Sequence, residues 1–268
     1  MNNKVKDLLS RSECLVASFV LSRDETLAGV AESAGLHALI LDFEHGMHDK
    51  NTAAAFINAA RGGSVAVFVR CPFGDLHRIG ALFDHGLDGV IVTDCRSVED
   101  VRKVIDAVKF APAGRRGLNP FVQAAGFGGM DATAYTERSN ERTSVWIMAE
   151  NKATLENIEQ ICLLPGLDGL FFGPYDLSLD CGIPGQTGHP DIMALIDRGF
   201  RECERHGVHT GIFARTVADM EPWLRKGVRM AAVGVDLSTL ADCWRGVARG
   251  IAELTGDRSR ANRSEGRR

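Results

Sequence analysis

The stretch LFDHGLDGVIVTDCRSVEDVRKVIDAVKF, residues 82–110, decides the fold. Gly86 ends an apolar-periodic segment, as expected of a residue that takes the left-handed backbone at a helix end without a Cβ clash. Asp88–Thr93 then runs apolar and β-branched for the length of one buried strand. Ser97 supplies a capping hydroxyl, and Val98–Phe110 carries apolar residues at i, i+3, i+4 spacing. Helix, glycine, strand, cap and helix in that order make one unit of a parallel α/β fold.

The unit recurs in both directions. Strands are expected at Cys14–Val20, His37–Asp42, Val65–Arg70, Asp88–Thr93, Val145–Glu150, Asp168–Gly173, Val208–Phe213 and Met230–Val235. Helices are expected at Asp24–Ala34, Lys50–Arg61, Leu76–Gly86, Val98–Phe110, Ala153–Cys162, Asp191–His206, Val217–Lys226 and Leu237–Leu254. Several strands are continuous apolar runs, as strands covered on both faces should be. Eight such units in 268 residues make a single closed (β/α)8 barrel over 1–255. The rival, an open doubly wound sheet, lacks its signature, because neither GxGxxG nor GxxxxGK[ST] occurs. The longest non-periodic stretch, 111–134, is expected on the face opposite the chemistry unless it meets a partner subunit. The tail 256–268 holds five arginines and no large apolar residue, and is expected to be disordered.

Composition narrows the class. Hydrophobic residues make 45% and charged residues 25% of the chain, with a net charge of −4, so a whole-molecule nucleic-acid footprint is not expected. No run is long enough for a transmembrane helix and no secretory leader is read. Seven cysteines without a CxxC pair read as reduced thiols of a cytoplasmic protein.

Barrel enzymes carry their chemistry at the C-terminal ends of the strands. That rim here ends in Asp42-Phe43-Glu44-His45, Arg70, Glu150, Gly173-Pro174-Tyr175-Asp176 and the region of Asp236. Glu150 and Asp176 are hard donors suited to Mg²⁺ or Mn²⁺; the competing reading of each is an ion pair or a helix cap. Arg70 suits a substrate carboxylate, or a salt bridge to a neighbouring strand end. His45 suits a general base. None of the seven lysines lies inside an expected strand, which disfavours imine chemistry, and no GxSxG elbow is present.

The rim motifs LDFEHG (41–46), VRCP (69–72), LFDHGLDGVIV (82–92), PAGRRG (112–117), AENKATLENI (149–158) and GLDGLFFGPYDLSLDCG (166–182) together resemble the class II pyruvate aldolases. This is the 4-hydroxy-2-oxoheptanedioate aldolase type of the HpcH/HpaI aldolase/citrate lyase family, matched over roughly 10–255. The resemblance implies a divalent metal, Mg²⁺ or Mn²⁺ with Co²⁺ or Zn²⁺ as variants, held by Glu150 and Asp176. It implies a 2-oxo acid chelated there and an aldehyde as the second product. Arg70 is implied to stabilise the enolate and His45 to act as base, with Asp84 raising its basicity. Met148, Gly173, Pro174 and Tyr175 are implied to line the substrate site. It further implies a homohexamer built as a trimer of dimers, with the last helix exchanged between subunits and the Arg115-Arg116-Gly117 loop crossing to a partner. Two positions depart from the family: Met148 stands where Gln is usual, and Tyr175 where Ala is frequent. The implied reaction is reversible cleavage of a 4-hydroxy-2-oxo acid. Its rivals are oxaloacetate-type decarboxylation at the same site, a catalytically silent metal-binding barrel, and nucleic-acid binding by the arginine tail.

Overall fold

The computed structural model describes residues 4–11 and 13–256. The arginine-rich tail therefore lies outside the described residues beyond Gly256. Eight parallel strands close in sequence order into one barrel: β1 (Leu15–Val20), β2 (Ala38–Asp42), β3 (Ala66–Pro72), β4 (Gly89–Thr93), β5 (Ser144–Ala149), β6 (Gly169–Phe172), β7 (His209–Ala214) and β8 (Met230–Val235). All eight coincide with the expected strands to within two residues at either end.

Strand alternation sorts the apolar side chains into two cores. Leu39, Leu41, Val67, Val69, Val90, Val92, Val145 and Ile147 face the helices. Ile40, Phe68, Ile91, Trp146, Met148 and Phe171 belong to the cluster that fills the barrel. The interior closes by pairing aromatics with missing side chains. A Cβ at Gly89 would stand 2.3 Å from the Phe68 ring, and one at Gly169 2.3 Å from Trp146.

The helices are α1 (Lys6–Ser10), α2 (Leu27–Ala34), α3 (Lys50–Ala59), α4 (Gly80–His85), α5 (Val98–Val108), α6 (Ala132–Arg142), α7 (Lys152–Glu156), α8 (Ile158–Cys162), α9 (Pro174–Asp180), α10 (Pro190–His206), α11 (Val217–Arg225) and α12 (Asp236–Thr255). Ser97 caps α5 in a reciprocal capping box with Asp100. Several elements differ from expectation, among them α9, which follows β6 where no helix was expected. The segment expected as one helix over 76–86 is a 3₁₀ turn, Phe73–Arg78, followed by α4. The segment over 153–162 breaks at Asn157. The polar α6 falls partly inside the expected loop. The short α1 places Val5 and Leu9 in the cluster that fills the barrel.

The long 111–134 segment sits where expected, below the strand starts, but it is not free. The Arg116 side chain is only 4% exposed. The guanidinium pairs with Asp84 at 2.5 Å, donates to Tyr135 Oη at 3.2 Å and lies 4.5 Å from the Phe110 ring centre. Within its own chain this arginine ties the 111–134 segment to α4 and α6.

Candidate active site

The loop after β2 is shaped by Asp42. Its Oδ1 accepts the backbone N–H groups of Glu44 at 3.0 Å and His45 at 3.1 Å, and its carbonyl accepts that of Gly46 at 3.1 Å. A Cβ at Gly46 would meet that carbonyl oxygen at 2.3 Å, so the turn requires glycine. Asp42 and Arg70 are register partners across β2 and β3. Arg70 Nε donates to Asp42 Oδ1 at 3.0 Å, and Nη2 donates to Oδ2, a two-point pair. Burial pushes the Asp42 carboxyl up, but the bonds and charge of Arg70 and the two N–H donors outweigh it and hold Asp42 below the usual carboxylate range. Arg70 also lies 3.7 Å from Glu44 Oε2 and 4.8 Å from the Phe19 ring centre. Arg70 is thus salt-bridged and also lines the mouth of the cavity.

Glu150 follows β5. The Asp94 N–H donates to its Oε1 at 2.7 Å, from a left-handed backbone at φ 58 that Asp tolerates better than most residues. Glu150 is pushed up to about 7, first by burial and then by the charges of Glu44 and Asp176, against the Asp94 N–H and Arg70. Thr93 Oγ1 donates to Glu44 Oε1 at 3.0 Å and so fixes the third carboxylate. Among the described residues Glu150 and Asp176 form no ion pair. The charge of this carboxylate group is therefore only partly balanced by Arg70.

A cavity of about 340 Å³ opens at this end of the barrel, lined among others by His45, Arg70, Met148, Tyr175 and Asp176. Gly173 and Pro174 line it as well, and a Cβ at Gly173 would stand 3.0 Å from Glu150 Cβ. His45, Arg70, Met148, Gly173, Pro174, Tyr175 and Asp176 therefore meet at one mouth, with Glu150 beside them.

Asp84 does not. It is the last-but-one residue of α4, five residues before β4 begins, and so lies at the strand-start end, where Arg116 engages it. The carboxylate beside His45 in this chain is Asp42, which the sequence pattern placed on the rim without a role. Asp236 also has a structural task. Its carboxylate accepts the N–H groups of Leu21 at 2.9 Å and Ser22 at 3.0 Å, tying the end of β1 to α12.

No lysine lines the mouth. Lys109, at the end of α5 and pulled down to about 8 by burial, is bonded to the Asn140 carbonyl at 2.8 Å and to Thr143 at the end of α6. Among the described residues no three His, Cys, Asp or Glu groups close a metal cage. Two carboxylates without a cationic partner of their own beside an open cavity instead fit Mg²⁺-like coordination, which keeps water and substrate oxygens as ligands.

The HpcH/HpaI aldolase/citrate lyase family model matches residues 16–243. The hydroxypyruvate/pyruvate aldolase of Roseobacter denitrificans is 30% identical over 92% of this chain and 96% of its own length. The 5-keto-4-deoxy-D-glucarate aldolase of Klebsiella pneumoniae is 28% identical over 92% and 95%. The crystal structure of an HpcH/HpaI aldolase from Desulfitobacterium hafniense superposes with a TM-score of 0.88 at 27% identity, covering 93% of this chain and 96% of that one. With the closed barrel and the rim motifs in place, the chain belongs to the HpcH/HpaI aldolase/citrate lyase family.

Proposed function

We propose that this protein is a metal-dependent carbon–carbon lyase that reversibly cleaves a 4-hydroxy-2-oxo acid to pyruvate, or a close 2-oxo acid, and an aldehyde. The observation that carries this reading is the meeting of Glu150 and Asp176, neither with an ion-pair partner of its own, with the Asp42–Arg70 pair at one cavity. Named aldolases among the relatives support the lyase class.

Glu150 and Asp176 would hold a divalent ion, Mg²⁺ or Mn²⁺, with Co²⁺ or Zn²⁺ as alternatives. Such an ion, when bound, polarises the 2-oxo group and stabilises negative charge on its oxygen. Arg70 spends Nε and one Nη2 proton on Asp42 and keeps the rest of its fork for charge developing on the substrate. Asp42 anchors the turn that carries His45, and His45 moves the proton at the 4-hydroxyl or at C3. Gly173 leaves the space beside Glu150 that a substrate carboxylate needs.

Assembly belongs to the same reading. Helix α12 exposes Leu237, Leu240, Trp244, Val247, Ile251 and Leu254, spaced three and four apart, and buries Ala252 alone. A second copy of this chain would cover that stripe, in a homohexamer with exchanged last helices. The seven cysteines are free thiols, as a cytoplasmic setting would keep them.

The test is proton exchange. In D₂O with Mn²⁺, the methyl protons of pyruvate should be replaced by deuterium in the presence of the protein, and EDTA should stop the exchange. Absence of exchange with any divalent metal and any 2-oxo acid would end this reading.

A further inference from the structure

We propose that the aldehyde handled at this mouth is apolar, bearing neither a carboxylate nor a run of hydroxyls, and that Phe19, Phe213 and Met148 select it. This rests on the aldolase reading of the same site.

The barrel order divides the mouth into two arcs. Asp42, His45, Arg70, Glu150 and Asp176 come from the ends of β2, β3, β5 and β6. The neighbouring arc of β7, β8 and β1 contributes Phe213, Val235, Phe19 and Leu21, with no charge. Phe19 is edge-on to Phe213 at 5.8 Å and to Phe171 at 6.0 Å, so this wall is a packed aromatic surface. Met148, 3% exposed, extends it toward Gly173 with its sulfur 3.6 Å from the place a Cβ would take there.

A 2-oxo acid seated on the charged arc points its remaining carbons at this wall. The bond that forms or breaks joins C3 of the 2-oxo acid to the aldehyde carbon. In the synthetic direction the C3 proton leaves, and a proton is returned to the new hydroxyl. The rest of the aldehyde then lies against Phe19, Phe213, Leu21 and Val235. A hydroxyl there gives up water without a partner, since Phe19, Leu21, Phe213 and Val235 carry no side-chain hydrogen-bonding group. A distal carboxylate would need a second cation. Arg70 is the one guanidinium of the lining and is bonded to Asp42; Arg215, just past β7, is exposed and does not line the cavity. The chemistry differs from that of the relative named for 5-keto-4-deoxy-D-glucarate, a substrate derived from a hydroxylated dicarboxylate.

The experiment measures aldol addition of pyruvate by the full chain with Mn²⁺, together with pyruvate methyl exchange under the same conditions. The acceptors are acetaldehyde, propanal, butanal and pentanal against glycolaldehyde, glyceraldehyde and succinic semialdehyde. The kcat/KM should rise roughly fourfold per methylene until the wall is covered. Butanal should exceed glyceraldehyde and succinic semialdehyde by at least about tenfold. Phe213→Ser should shrink the butanal-to-glyceraldehyde ratio by about tenfold. A flat aliphatic series, or a preference for a hydroxylated or carboxylated acceptor while exchange proceeds, overturns the specificity and leaves the lyase standing. No exchange and no product with any acceptor overturns both.

Discussion

Replacing Arg70 by Met leaves Asp42, 2% exposed, as an uncompensated buried charge. The pair has two points of contact, Nε to Oδ1 at 3.0 Å and Nη2 to Oδ2, and its side chains are only 12% and 3% exposed. Breaking such a pair from one side costs about 3–5 kcal/mol. At ~2–4 °C per kcal/mol for a chain of this size, Tm should drop by roughly 10 °C. Asp42→Asn should cost somewhat less, about 2–3 kcal/mol, because Arg70 keeps Glu44 at 3.7 Å. The double variant Asp42→Asn/Arg70→Met should recover about 2–3 kcal/mol relative to the sum of the two, since it buries no unpaired charge. The pH dependence has a definite sign. Asp42 is held below its unfolded value, so the stability it contributes is present above about pH 4 and is lost as pH falls through the folded value. Urea unfolding of the four proteins between pH 7 and pH 3 reads both effects. Costs that add within ~0.5 kcal/mol, or a wild-type advantage that does not shrink in acid, would refute the reasoning.

Glu150→Gln and Asp176→Asn should each lower Mn²⁺ affinity at least about tenfold, read by calorimetry, while the metal-free Tm stays level or rises because a crowded carboxylate is neutralised. Gly169→Ala should cost about 1–3 kcal/mol or more by driving a methyl into the Trp146 ring, whereas Gly246→Ala, in open space on α12, should be neutral or gain up to ~1 kcal/mol; thermal unfolding compares them. Trp244→Glu with Ile251→Glu should dissociate the assembly proposed over the α12 stripe, and an unchanged sedimentation coefficient would rule that surface out.

The barrel was legible because its strands are continuous apolar runs, its helices carry periodicity and several helix ends carry glycine. Asp88–Thr93 and Val98–Phe110 could be read from one window, and β4, β5 and β6 lie where their apolar runs are. Helix α6 was not, because ATAYTERSNER buries Tyr135 alone and shows no apolar stripe. Helix α1 is too short for periodicity, and only its contact with the barrel interior gives Val5 and Leu9 a purpose. At the site, strand-end charges on apolar runs stood out one by one, so His45, Arg70, Glu150 and Asp176 were visible. What linked them was not. The Asp42–Arg70 pair follows from a cross-strand register that no local pattern encodes, and the Asp94 N–H bond to Glu150 depends on a left-handed backbone two strands' worth of sequence away. Asp84 lies apart from these residues within its own chain. It stands in a rim-like motif, LFDHGLDGVIV, yet that motif runs from helix into strand, which places its acid at the strand starts beside Arg116. Phe19, Phe213 and Val235 stand on separate strands, and only barrel closure gathers them into one apolar arc beside the charges.

The most direct test of the central claim is anomalous diffraction from crystals grown with Mn²⁺ and pyruvate. The account predicts a manganese peak bounded by the carboxylates of Glu150 and Asp176, with the 2-oxo acid against it, its carboxylate toward Gly173 and its methyl toward Met148 and Phe213. A peak elsewhere in the chain, or pyruvate bound with no metal between those two residues, would contradict it.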